Sequence, residues 1–246
     1  MIEREVHDGI VLLRLAHGKA SALDVELLEA LASELDAARD ARAVVLTGSG
    51  SIFSAGVDLF RVIDGGSDYV ARFFPLLVDV LRKMFVLPVP LVVAANGHAI
   101  AGGAIFVAAA DRRLMAEGKG RIGVPELLVG VPFPALALEL VRFAIGSRAQ
   151  SLALSGRTLL PEEALAIGFV DDVVVPDLLV EKALDAARQL AAIPRVAFRL
   201  AKTQLRKPHL DLADSSRDAD AEALAAWSDP ASHATIRDYL AKTVRK

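Results

Sequence analysis

Two short stretches put glycine where a helix is expected to begin: SAGVDL, from Ser54 to Leu59, and AGGA, from Ala101 to Ala104. The first N–H groups of a helix have no partner within it, and the helix dipole adds positive charge there. Such a start attracts an anion. Glycine lets a ligand approach that backbone closely, and two donors from separate segments can converge on one developing oxyanion. Taken singly, a plain turn at SAGVDL or tight helix–strand packing at Gly102 and Gly103 explains each stretch equally well. A third group is Glu126, which lies among Ile122, Val124, Pro125, Leu127 and Leu128. Apolar surroundings raise a carboxyl's pKa and bring its basicity toward neutral pH. A solvated glutamate in the first turn of a helix after Pro125 is the plain alternative.

The elements that must position these groups can be read from periodicity. Gly9–Leu15 is strand-like, and Asp24 is placed to N-cap an amphipathic helix, VELLEALASELDAARD, with Leu27, Leu28, Leu31 and Leu35 on one face. Ala43–Thr47 reads as a short buried strand, followed by the turn-rich GSGSIFSAGVDLF. Asp58 is expected to cap the next helix rather than to act chemically. Tyr69–Val86 reads as a helix stopping before Pro88 and Pro90, and PLVVAA as a buried strand. From Pro90 to Ala110 there is no Asp, Glu, Lys or Arg. That run is about as long as a membrane span, but Asn96, Gly97 and His98 interrupt it. A strand, a turn at Asn96-Gly97 and a buried helix explain it better. Further strand and helix signals follow: DRRLMAE, the helix Ala135–Ile145, a helix first turn at Pro161, the strand VDDVV, and a helix capped by Asp177 that runs to Ile193. From Arg195 onward the pattern is helical only. The order predicts an α/β fold with a core over residues 1–194 and a C-terminal helical region over 195–246.

Composition narrows the functions. The 246 residues are 54% hydrophobic and carry a net charge of −3 with mixed signs, which gives no basic footprint for nucleic acid. Cysteine is absent, and His7, His17, His98, His209 and His233 are scattered, so neither a thiol nucleophile nor a metal centre is expected. The charged start MIEREVH does not read as a signal peptide, and a soluble, cytoplasmic protein without a membrane partner is expected. His98 is expected to line or pack its turn; Asp111, Asp171 and Asp172 to be structural; and Phe53, Phe60, Phe73, Phe74, Phe106, Phe133 and Phe143 to be mainly core, with some able to line an acyl tunnel.

Five stretches, HGKASAL (His17–Leu23), SIFSAGVDL (Ser51–Leu59), PLVVAANGHAIAGGAIFVAAAD (Pro90–Asp111), IGVPELLVG (Ile122–Gly130) and SGRTLLPEEALAIGFVDDVV (Ser155–Val174), occur in the order in which the crotonase, or enoyl-CoA hydratase/isomerase, superfamily has them. The sequence resembles that superfamily over nearly its whole length. The resemblance implies a spiral of repeated ββα units with a C-terminal helical region that forms trimers or dimers of trimers. It implies an acyl-CoA thioester as substrate, with no separate cofactor. The backbone N–H groups of Val57 and Gly102 would hold the thioester oxyanion. Lys19, Ala20 and Ala22 would line the coenzyme A groove, and Ser54, Ala55, Gly56, Asp58, Leu59 and Gly103 would also bind the coenzyme A or the rest of the substrate. Lys19 and the C-terminal Lys242, Arg245 and Lys246 could meet the phosphates, or simply be solvated.

Family members that hydrate 2-enoyl thioesters usually carry two glutamates. One matches Glu126; the other position, three residues beyond Gly102, holds Ile105 here. Hydration needs a water activated on one side and a proton delivered to C2. Moving a double bond from C3 to C2 needs one base that takes a proton from C2 and returns it at C4. The sequence is most similar to the enoyl-CoA delta isomerase branch, also in its late segments. A 3-enoyl-CoA to 2-enoyl-CoA isomerase of fatty-acid β-oxidation is therefore expected, with Glu126 as proton shuttle. Weak hydration, thioester hydrolysis, decarboxylation and acyl-CoA binding without turnover remain open alternatives.

Overall fold

A computed structural model of the protein describes residues 1–243. Among these, four ββα units follow one another: β1 (Ile2–His7), β2 (Ile10–Leu15) and α1 (Val25–Ala37); β3 (Ala43–Gly48), β4 (Ile52–Ser54) and α2 (Leu59–Phe85); β5 (Leu91–Ala95), β6 (His98–Ile100) and α3 (Gly102–Ala108); β7 (Arg112–Ala116), β8 (Ile122–Gly123) and α4 (Glu126–Val129). Then come α5 (Ala135–Ile145), α6 (Arg148–Ser155), β9 (Thr158–Leu159), α7 (Pro161–Ala166), β10 (Asp172–Val174), a 3-10 turn (Pro176–Leu178) and α8 (Leu179–Ala191). Three helices close the described chain: α9 (Arg195–Ser215), α10 (Arg217–Ser228) and α11 (Pro230–Thr243).

The strands divide between two sheets, ordered β1-β2-β3-β5-β7-β10 and β4-β6-β8-β9. From the second unit onward, the first strand of each unit extends the large sheet and the second extends the small one. The chain therefore advances as a spiral. Within the large sheet, β2, β3, β5 and β7 are parallel neighbours. Alternate residues face opposite sides. Leu13, Leu46 and Val93 enter the main core, whereas Leu12, Val45 and Val92 meet Leu179, Ala183 and Ala187 of α8. Burial on both faces explains why these strands read as continuous apolar runs.

The small sheet positions the site. Strand β6 lies parallel between β4 and β8. Each of these strands is two or three residues long, and α2, α3 and α4 begin only a few residues beyond them. Three helix starts thus come to lie side by side at the carboxyl ends of adjacent parallel strands, where open sheets commonly place ligands.

Several elements differ from the sequence reading. Strand β1 was not anticipated: its middle residues are exposed and charged, and only its pairing with β2 makes it a strand. Helix α6 was also not anticipated. Helix α2 starts at Leu59, not Tyr69, and Gly66 (φ 58°, ψ −151°) breaks its regularity. Strand β6 separates the Asn96-Gly97 turn from α3, which is only seven residues long. Gly97 is fixed there because a Cβ would overlap the Ser51 carbonyl. Asp177 lies within the 3-10 turn and caps nothing; Leu178 precedes α8 without a side-chain cap. Phe60 is not core but 56% exposed, on the outer side of α2. Asp24 and Asp58 do cap: Asp24 accepts from the Leu27 N–H, and Asp58 from those of Phe60 and Arg61.

Asp111, just beyond α3, holds the helical region to the sheet. It accepts from Lys202 Nζ at 2.6 Å, from Arg206 at 2.7 Å and from the Leu91 N–H at 2.7 Å. Lys202 also donates to the Val89 carbonyl, and Arg206 donates to the Phe85 carbonyl while lying over the Phe85 ring. Both cations are buried. Asp171 likewise ties β10 to Arg113, and Asp172 pairs with Arg112. Replacing one partner of a buried ion pair leaves the other charge uncompensated, at a cost of about 3–5 kcal/mol. Asp111→Ala is therefore expected to lower the unfolding free energy by about that amount in urea titrations. A loss below 1 kcal/mol would contradict this role.

Candidate active site

The loop between β2 and α1 is fastened to the loop between β4 and α2. Ser54, fully buried, donates its hydroxyl to the Ser21 carbonyl at 2.8 Å, and that hydroxyl accepts from the Gly56 N–H. The Ala55 N–H donates to Ala20 O, and the Leu23 N–H to Gly56 O. Leu23 O in turn accepts from the Asp58 N–H, forming a parallel bridge between Leu23 and Val57. In such a bridge the flanked residue turns its own N–H away from its partner. The Val57 N–H therefore points to the side opposite Leu23. His17 braces the loop from outside, its Nε2 lying 2.7 Å from the buried Asp24 carboxylate.

Close approach explains the glycines. A Cβ on Gly56 (φ 82°) would stand 2.6 Å from Ile100 O, 2.8 Å from the Ala101 Cβ and 3.4 Å from the Gly102 nitrogen. One on Gly103 would stand 2.7 Å from Ser54 O, and one on Gly102 would stand 2.6 Å from Leu23 Cδ1. The SAGVDL and AGGA segments are therefore in contact. At Gly103 the space is taken by protein, so tight packing accounts for that residue. Ala101 enters α3 at φ 51°, ψ −122°, a conformation that is strained for a residue with a Cβ. Among the described residues, no hydrogen bond engages the N–H of Val57 or of Gly102.

Glu126 opens α4, three residues beyond Gly123, whose carbonyl accepts from the Ala101 N–H at the entry to α3. Its side chain is 6% exposed, and Oε2 is buried without a hydrogen-bond partner. Burial pushes its pKa up to about 8, only partly opposed by a hydrogen bond from its own backbone. Ile105 is buried in the core, so α3 brings no acid to the site.

The other expected residues are arranged unevenly. Ala20, Ala22, Val57, Asp58 and Leu59 are half-buried, Ala55 and Lys19 exposed, and Gly102 and Gly103 buried. Lys242 is exposed, and Arg245 and Lys246 lie outside the described residues. His98 accepts from the Arg121 N–H through Nδ1, as a packing residue of its turn. Sequence reasoning did not single out Leu23, whose side chain underlies Gly102, or Ala101, whose strain leaves no mark in the sequence. Among the described residues, no cluster of His, Asp and Glu could hold a metal ion, and no helix is long and apolar enough to cross a membrane.

The model of the enoyl-CoA hydratase/isomerase family matches residues 5–243. The chain belongs to this family. Mitochondrial enoyl-CoA delta isomerase 1 of Rattus norvegicus is 29% identical over 253 residues, covering 100% of this chain and 88% of the relative. A Thermus thermophilus protein provisionally named as an enoyl-CoA hydratase is 37% identical over 198 residues, covering 78% of this chain and 77% of the relative. The crystal structure of human mitochondrial delta3-delta2-enoyl-CoA isomerase superposes with a TM-score of 0.94 at 26% identity, covering 99% of this chain and 98% of that one. The protein is thus an acyl-CoA enzyme of the enoyl-CoA hydratase/isomerase family with the crotonase fold.

The raised Glu126 pKa has a consequence for stability. In the unfolded chain the carboxyl ionises near 4.5, whereas in the fold it keeps its proton up to about 8. Between those values the folded state binds the extra proton, so stability falls as pH rises and levels off above 8. Glu126→Gln is expected to abolish this loss. Denaturant titrations should show the variant gaining roughly 2–5 kcal/mol on the wild type between pH 4.5 and 8. Parallel stability curves for the two proteins would refute the assignment.

Proposed function

We propose that the protein moves the double bond of a 3-enoyl-CoA to the 2-position in fatty-acid β-oxidation, with Glu126 as its single proton shuttle. The observation that carries this reading is the buried Glu126 carboxyl, whose Oε2 has no hydrogen-bond partner, together with a start of α3 that brings no second acid. The full-length match to the rat isomerase supports it. In its ionised form Glu126 takes a proton from C2. The electrons move onto the thioester oxygen, which accepts from the N–H groups of Val57 and Gly102. The same carboxyl then delivers the proton to C4 of the dienolate. The coenzyme A moiety would run along Lys19, Ala20 and Ala22, with Ser54, Ala55, Gly56, Asp58, Leu59 and Gly103 around the thioester. No separate cofactor is needed for this chemistry. We further propose a cytoplasmic trimer or dimer of trimers, since apolar Val196, Leu200, Leu205 and Leu212 of α9 stand exposed on the single chain.

The 37% identity to the Thermus thermophilus relative favours a second reading, 2-enoyl-CoA hydration. The two are separated by assaying the purified protein on 3-enoyl and 2-enoyl substrates of several chain lengths. Isomerisation should be the faster reaction, and faster hydration would overturn the proposal.

Because Glu126 must be ionised to act, kcat/KM should climb with pH and level off above about 8. Glu126→Gln should lower kcat by ~10²–10⁴-fold with substrate binding retained. A variant within a few-fold of wild type would exclude Glu126 as the base.

Gly102→Val tests the backbone donor independently. The added side chain would press on Leu23 and crowd the space before the N–H. Turnover is expected to fall by ~10²-fold or more in a folded protein. Near-normal turnover would remove Gly102 from the mechanism.

A further inference from the structure

Gly102 lies in α3 with a negative φ, so its backbone would accept any residue. What excludes a side chain is space. A Cβ there would stand 2.6 Å from Leu23 Cδ1 and 3.9 Å from Leu23 Cγ. Among the described residues, no other group outside α3 and its entry lies within 4 Å of that position. Leu23 thus fills the place that a side chain at 102 would take. It is fully buried in the main core, and in a close-packed interior it cannot swing aside without displacing its neighbours.

The same residue holds the start of α2 through its main chain. Its N–H donates to Gly56 O at 2.8 Å, and its carbonyl accepts from the Asp58 N–H at 2.9 Å, on either side of Val57. Leu23 is itself held in place from both directions. Ser21, two residues before it and at φ 42°, has its carbonyl bound by the Ser54 hydroxyl. Asp24, the next residue, caps α1 through the Leu27 N–H and meets His17.

We propose that Leu23 is a positioning residue for the oxyanion site: its main chain sets the Val57 N–H, its side chain seats Gly102, and together they fix the separation of the two donors. Its role rests on the Val57 and Gly102 N–H groups being those donors, as proposed above. Fully buried, Leu23 does not touch substrate and acts only through them. Truncating the side chain leaves a void under Gly102 but keeps the main-chain bonds to Gly56 and Asp58. The start of α3 then settles away from the thioester oxygen while the Val57 N–H stays in place. A small displacement of one donor weakens a bond that counts most in the transition state. Gly102 is in this view the complement of Leu23.

The test reads the thioester carbonyl directly. Hexanoyl-CoA, isotopically labelled at that carbonyl, is saturated and can be neither isomerised nor hydrated. Hydrogen bonds to the oxygen lower the carbonyl stretching frequency, so infrared spectra of the wild-type complex should show a downshift from solution. Leu23→Ala should lose roughly half of that downshift or more, because one of the two donors is loosened. On whichever of the 3-enoyl and 2-enoyl substrates turns over faster, kcat of this variant should fall by ~10–10²-fold with KM within a few-fold. Gly102→Ala should lower kcat in the wild-type background, where its Cβ meets Leu23, yet raise it in Leu23→Ala, where it fills part of the void. A merely structural role would produce neither this reversal nor the spectral change. If Leu23→Ala does not fold, Leu23→Val replaces it with the same expectations. An undiminished downshift in the truncated variant, or effects of Gly102→Ala with the same sign in both backgrounds, would overturn the proposal. Failure of the donor reading would look different: the wild-type protein would leave the bound carbonyl at its solution frequency, and the role of Leu23 would fall with it.

Discussion

The architecture depends on the parallel pairing of three very short strands, β4, β6 and β8. Two or three residues of ladder could not hold this register alone, and the neighbouring glycines explain how they do. Gly97 lies against Ser51, Gly56 against Ile100 and Ala101, Gly103 against Ser54, and Gly123 against Arg157 and Thr158. Each contact would be blocked by a single methyl group. The segments can close on one another only where side chains are absent, and that closure brings the starts of α2, α3 and α4 together. The strain at Ala101 is tolerated because β6 fixes the chain before it, with the Ala101 N–H donating to Gly123 O, and the buried α3 fixes it behind.

A second principle is the separation of charge from chemistry. The run from Pro90 to Ala110 is free of acids and bases, and the interior it builds is apolar enough to hold Glu126 in a state unlike that of a surface carboxylate. The strong ionic contacts lie elsewhere, at Asp111 with Lys202 and Arg206, where they join helix to sheet. One buried carboxyl is satisfied on every side and serves structure. The other, Glu126, is buried with Oε2 unpartnered, and only a hydrogen bond from its own backbone opposes the effect of that burial.

Much of this was legible in the sequence because burial imposes periodicity. The leucine face of α1, the apolar runs of β3 and β5, and the caps at Asp24 and Asp58 follow from local rules. The family relationship was legible too, because its motifs combine glycine, proline and acid in a fixed order. What remained hidden was set by tertiary contact. Strand β1 is polar on its exposed residues, and β6 is too short to show a period of two. The early start of α2 is masked by Gly65 and Gly66. Phe60 is exposed because its turn of helix faces outward, which no composition reveals. In the site, glycine itself was readable, but its reason was not. Gly103 gives way to Ser54, and only three-dimensional neighbours distinguish that from access for a ligand.

The margins of the sheets show how the protein guards against uncontrolled association. An outermost strand with free N–H and C=O groups is a template for another chain unless it is short or charged. Here β1 carries Glu3, Arg4 and Glu5 on the outer margin of the large sheet, and the opposite margin, β10, is three residues long with Asp172 held by Arg112. The small sheet is bordered by β4 and β9, of three and two residues. No margin among the described residues offers a long apolar ladder for strand-to-strand growth. Growth by strand-to-strand pairing, the route to a fibre, is thereby closed at each of these margins.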